Sequence, residues 1–159
     1  MKTVAYILAG AICGAIPAAA QKLPAVDDAG YPKLIAQHKG KVVLVDFWAT
    51  WCKGCREELP ELVKLEQRLR AKGLDVVMIS ADEASDEAKA AQVLKESNMP
   101  APAYLRKTND EDKFCQSIDP KWIGALPATF LYNRQGKLVK SFIGDTPIKA
   151  FEDAINKLL

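Results

Sequence analysis

The sequence predicts an α/β domain, a mixed β-sheet with helices on both faces. Three observations carry this. The apolar runs over 41–47 and 74–80 lack the alternation of a half-solvated strand. Strands of that kind are buried on both faces, as in the centre of an α/β sheet. Between them a helical pattern runs through Arg56, Leu59, Leu62, Val63, Leu65 and Leu69, so the two strands are parallel and form a βαβ unit. The C-terminal part holds two strands around the turn Asn133-Arg134-Gln135-Gly136. A last helix follows, with Ile148, Phe151, Ile155 and Leu158 on one face.

The chain opens on Lys2, an apolar run from Val4 to Ile16, and Pro17-Ala18-Ala19-Ala20. This has the form of a secretory signal peptide cut after Ala20. The run is short for a transmembrane helix; an uncleaved N-terminal anchor is the alternative. Cys13 follows Ile12, a poor fit to a lipidation site, and is given no chemical role. Cleavage leaves 139 of the 159 residues, enough for one domain with its own core. It also leaves 21 basic and 20 acidic side chains. That balance gives no pointer to nucleic acid, and no charge block suggests a membrane-surface patch. Residues 21–30, polar and containing Pro24 and Asp27-Asp28, read as a linker, and 31–159 as the domain.

The remaining elements follow in order. Tyr31 to Lys39 reads as a short helix ended by Gly40, with Leu34, Ile35 and His38 on related faces. His38, the single histidine, sits in its last turn, where a cation complements the helix dipole. Pro60 lies inside the long helix and is expected to kink it. Gly73 ends that helix. Ser85-Asp86-Glu87 reads as the capped start of the next helix, which stops near Asn98 before Pro100. Asp82 and Glu83 on the loop before it read as solvated acids. A short strand over Ala101–Arg106 and a short helix over Asp110–Ser117 form an insertion. Cys115 in that helix reads as a buried small hydrophobe; an extra redox thiol is the alternative. Thr146-Pro147 reads as the cap and first residue of the last helix.

Chemistry concentrates in Val45-Asp46-Phe47-Trp48-Ala49-Thr50-Trp51-Cys52-Lys53-Gly54-Cys55. The strand turns sharply over 48–51 and enters the helix, so Cys52 lies at its N-terminus and Cys55 one turn in. Free N–H groups and the positive dipole end favour an anion there, and a thiolate's pKa falls. A thiolate is the nucleophile that attacks disulfides, and a second cysteine two residues further on can resolve the product. Three cysteines remain after cleavage, an odd number, which argues against a structural disulfide framework. Export implies an oxidising compartment, where one close pair reads as a working redox couple. Asp46 is an anomaly in a buried strand, since a carboxylate there needs a partner or a task.

The run Asp46-Phe47-Trp48-Ala49-x-Trp51-Cys52-x-x-Cys55 resembles the active-site run of thioredoxin-fold proteins, and Leu126-Pro127-Ala128-Thr129 resembles their second diagnostic run. The strand–helix insertion before that second run is similar to the TlpA/ResA-like branch of exported disulfide reductases. The resemblance extends from Tyr31 to Leu158. It implies a thioredoxin-like three-layer sandwich and an exported thiol–disulfide oxidoreductase that reduces protein disulfides through a Cys52–Cys55 couple. In it Cys52 attacks, Cys55 resolves, and Asp46 beneath them carries protons, its pKa raised by burial. Pro127 is expected to be cis and to meet substrate together with Leu126 and Trp51. No bound cofactor or metal is implied. The partners implied are proteins with disulfides and an electron-donating dithiol protein, such as a membrane-embedded reductase. Lys53-Gly54 departs from the usual Gly-Pro. A dithiol oxidase with the same residues is one competing reading. A thiol peroxidase needs Thr-x-x-Cys, and Ala49 excludes it. A metal- or peptide-binding domain would draw its ligands from Cys52, Cys55, Cys115 and His38.

Overall fold

The unbroken apolar run becomes the central strand β2, Val42–Trp48, with all seven residues buried. It pairs in parallel with β3, Leu74–Ser80, and antiparallel with β5, Ala128–Tyr132. Beyond β3 lies β4, Ala103–Arg106, again parallel; beyond β5 lies β6, Leu138–Ile143, antiparallel. These positions come from a computed structural model that describes residues 22–99 and 102–159; the leader expected over 1–20, with Cys13, lies outside the described residues.

Part of the stretch expected as a linker is built into the sheet. Ala25–Val26 form β1, parallel to β4, and the sheet order is β1-β4-β3-β2-β5-β6. Leu105 N donates to Pro24 O at 3.0 Å and Lys107 N to Val26 O at 2.8 Å. The physical reason is that β4 would otherwise be a bare edge with unpaired backbone groups. Leu23 and Val26 add an apolar side chain to each of the two cores.

Alternation along β2 divides those cores. Leu44 and Trp48 face α2 (Lys53–Leu69), α3 (Glu87–Glu96) and α5 (Ile148–Asn156), where they meet Leu59, Leu62, Leu94 and Phe151. Val43, Val45 and Phe47 face α1 (Gly30–Gln37) and α4 (Glu111–Ile118), with Tyr31 and Phe114. The sheet is mixed and carries helices on both faces, the three-layer thioredoxin-like arrangement that the sequence implies. Cys115 is fully buried in the second core. Among the described residues no helix is long and apolar enough to cross a membrane.

α2 is a single helix that holds Pro60 inside it. A helix-interior proline costs about 3 kcal/mol, whereas burying Leu59, Leu62 and Leu65 stabilises by roughly 1.5–3 kcal/mol each. Thr146 does not cap α5; its Oγ1 donates to Gly144 O at 3.0 Å, and Pro147 is the cap residue. Ser85 does not cap α3 either: it lies in a short 3₁₀ turn over Ala84–Asp86, and Asp86 takes the N-cap position with no side-chain cap bond. His38 ends α1, with its Nδ1 2.8 Å from Asp75 Oδ2, so it ties α1 to β3.

Candidate active site

β2 delivers the chain to the C-terminal edge of the sheet, where Ala49–Trp51 turn it into α2. Cys52 is the N-cap of α2 in an extended conformation, and its Sγ accepts from Cys55 N at 3.2 Å. The two cysteines are joined by a disulfide with their Cα atoms 5.3 Å apart. Cys52 keeps 8% exposure against 2% for Cys55. Cys52 is thus the more accessible sulfur, although both are largely covered in the oxidised form. The cap position places Cys52 Sγ at the positive end of the helix dipole.

The turn is held by a residue that the sequence reading placed in solvent. Asp82 is 3% exposed. It accepts from Thr50 N at 3.0–3.1 Å, from Thr50 Oγ1 at 2.7 Å and from Ser80 Oγ at 2.8 Å. Thr50 lies past the end of the β2 ladder, so its buried N–H needs another acceptor. The parallel register of Trp48 with Ser80 brings Asp82 to it.

Asp46, 2% exposed, shares the β2 face of Leu44 and Trp48, the face that α2 covers. Burial pushes its carboxyl up to about 7, against a hydrogen bond from Thr129 Oγ1 at 2.9 Å that pulls the other way. A second carboxyl joins it. Glu58 of α2 is pushed up to about 8, by burial first and then by the charges of Asp46 and Asp145. The sequence reading missed Glu58, although its spacing of three from Cys55 puts both on one helix face. Asp145, on the β6–α5 loop, carries no local signal and comes to the site only through tertiary packing.

The second diagnostic run meets the first. The Leu126–Pro127 bond is cis, and Pro127 is buried. Trp122 anchors the preceding loop. It is buried against Phe47 and Phe130, with ring centroids 4.7 and 4.9 Å away, and its Nε1 donates to Ala125 O at 2.9 Å. A Cβ built at Gly54 would lie 3.7 Å from Pro127 Cδ, so the proline loop borders the Cys-x-x-Cys turn. Trp51 and Ile123 stand 68% and 76% exposed beside these two segments. His38 belongs to the opposite end of β2 and Cys115 to the other core. Among the four candidate metal ligands, only Cys52 and Cys55 are brought together.

Fold and site together define a thioredoxin-fold protein with a disulfide at the mouth of a helix. The chain belongs to the Redoxin family, whose profile matches residues 14–158. It is similar to the thiol-disulfide oxidoreductase ResA of Bacillus cereus, 31% identical over 120 residues. That match covers 76% of this chain, and the chain spans 65% of the length of that relative. It is also similar to the thiol:disulfide interchange protein DsbE of Pseudomonas aeruginosa, 32% identical over 142 residues, covering 89% of this chain and 73% of that one. Among solved structures it resembles the thioredoxin domain of a thiol-disulfide oxidoreductase from Bacteroides vulgatus. There the TM-score is 0.61 at 30% identity, over 76% of this chain and 84% of that one.

Proposed function

We propose that this chain is an exported thiol–disulfide oxidoreductase that reduces disulfides in other proteins. The observation that carries this is the Cys52–Cys55 disulfide at the N-terminus of α2, bordered by the Pro127 loop. In the reduced form the Cys52 thiolate attacks one sulfur of a substrate disulfide, and the other substrate sulfur leaves as a thiolate. Cys55 then gives its proton to Asp46 and attacks Cys52 Sγ. The second substrate thiolate leaves, and the internal disulfide has taken up the oxidation. Trp51, Leu126 and Pro127 border the incoming segment. An electron-donating dithiol protein restores the pair, and a membrane-embedded reductase suits a domain that is exported by a leader over residues 1–20. The folded unit then starts upstream of residue 31, since β1 belongs to the sheet.

Cys55→Ser is expected to accumulate mixed disulfides with substrate proteins, and Cys52→Ser to accumulate none, read on non-reducing gels. The reverse pattern would reverse the two roles.

Direction is tested separately. Lys53, the cation beside the pair, is exposed and 3.6 Å from Glu57, so solvent and its partner both weaken its pull on a thiolate. Asp46, once ionised, opposes a further negative charge beside it. The couple is therefore expected below about −180 mV, the value of protein disulfide isomerase, on the thioredoxin side. A more positive midpoint favours the dithiol oxidase.

A further inference from the structure

Gly54, which stands where proline is usual in this run, has no part in the chemistry above. The backbone does not ask for glycine at position 54, which is not among the residues with positive φ. Space does. A Cβ there would fall inside the van der Waals shell of Asp145 Oδ1 and 3.4 Å from Asp145 Cγ. The Asp145 carboxylate therefore rests on the first turn of α2, in room that only the missing side chain leaves. Its own loop is pinned: Gly144 N donates to Pro127 O at 2.8 Å, and Thr146 Oγ1 to Gly144 O at 3.0 Å.

We infer that Gly54 and Asp145 work as a pair that sets how strongly the dithiol reduces. The inference rests on the redox function proposed above and names a residue that tunes it. The N-cap of α2 holds Cys52 Sγ, and on reduction a thiolate develops there. The dipole end that stabilises this thiolate already has a carboxylate on its first turn. Two anions then share one positive helix end, and their repulsion disfavours the reduced, thiolate-bearing form. A couple whose reduced form is disfavoured has a more negative potential and gives up its electrons more readily. Lys53, Arg56, Glu57 and Glu58 come from α2 itself, and Asp46 from the strand beneath. Asp145 comes from a different element, and the missing side chain at position 54 leaves the room in which its carboxylate sits. The same charge is one of the causes that keep the Glu58 carboxyl protonated.

The test is equilibration of the whole domain with glutathione. Two glutathione thiols give two electrons and two protons to the Cys52–Cys55 disulfide and leave as glutathione disulfide. Asp145→Asn is expected to raise the equilibrium constant for reduction about threefold at low salt, which is about 14 mV at 29.6 mV per tenfold. The pH midpoint of Cys52 alkylation should fall in the same variant. Both differences should vanish near 1 M salt, where the Debye length is about 3 Å; loss of packing would not respond to salt in this way. Gly54→Ala, which must push the carboxylate off the helix, is expected to act in the same direction, and to add nothing in an Asp145→Asn background. An unchanged equilibrium constant in Asp145→Asn at low salt overturns the pair, as does a Gly54→Ala effect that persists without the charge. Failure of the wild-type disulfide to exchange with glutathione at all would instead overturn the redox function on which the pair rests.

Discussion

Asp46→Asn is expected to stabilise the oxidised protein by about 4 kcal/mol at pH 8, to leave its stability near pH 4 unchanged, and to slow turnover. The folded carboxyl titrates at about 7 against an ordinary value of 3.8, because burial penalises its charge. At 1.36 kcal/mol per pH unit, that displacement is worth about 4 kcal/mol. The sign follows from proton uptake. Between pH 4 and 7 the unfolded chain has lost a proton that the folded chain keeps, so stability falls as pH rises through this window and is level above it. Asparagine removes that penalty, and its Oδ1 can still accept from Thr129. Denaturant melts of both proteins should therefore diverge from pH 4 to 7 and run parallel above it; a constant difference from pH 4 to 8 would mean that Asp46 is not the group titrating. In catalysis the sign is opposite. In the proposed mechanism the variant lacks the base for the Cys55 proton, so resolution should slow by about 10²-fold, within the usual range for general base catalysis. The limb of the pH–rate profile near 7 should go with it. Attack by Cys52 should be spared, so mixed disulfides should build up even with Cys55 present. Glu58 should titrate lower in the variant, because the Asp46 charge is one of the causes holding it up.

What could be read from the sequence divides by the range of the interaction. β2, β3, α2 and α5 declare themselves through apolar period and length, and Cys52 through its place between a strand and a helix. Those are local signals, and they place the Cys52 sulfur at the helix N-terminus without help from tertiary structure. Asp46 was legible because a charge in a buried strand breaks the pattern around it. Asp82 was misread for the mirror-image reason. A loop acid looks the same in sequence whether water or a buried Thr50 N–H satisfies it, and that partner lies 32 residues away. β1 was lost because two residues are too few to show a period. Glu58 had a signal, its helical spacing from Cys55, but acids are common on α2 and spacing alone cannot separate one facing a buried carboxyl from one facing solvent. Asp145 had none, since only the hairpin that carries Pro127 returns it to α2.

Asp82→Ala is expected to destabilise the domain by about 3 kcal/mol and to loosen the turn that carries Cys52. The carboxylate accepts from one backbone N–H and two hydroxyls, in a place where Thr50 is 4% exposed and Ser80 fully buried. The hydroxyls of Thr50 and Ser80 can rotate toward other acceptors. The Thr50 N–H is fixed by the chain and cannot, and a buried donor left without an acceptor costs about 1–3 kcal/mol. Charge-assisted bonds to both hydroxyls are lost as well, at roughly 1.5–3 kcal/mol each. Release of a buried negative charge from its desolvation returns part of that sum, which brings the net down to about 3 kcal/mol. Thr50→Val removes one charge-assisted hydroxyl bond and leaves the N–H satisfied, so it should cost about 1.5 kcal/mol. Asp82→Asn should fall between the two, because one amide oxygen still accepts while the amide N–H₂ faces donors. Urea melts at constant m give the order, and amide hydrogen exchange at Thr50 reports the turn directly. Exchange there should speed up in Asp82→Ala by more than global stability alone accounts for. Equal denaturation midpoints for Asp82→Ala and the wild type would remove Asp82 from the support of the turn, and the placement of Cys52 would then rest on the helix cap alone.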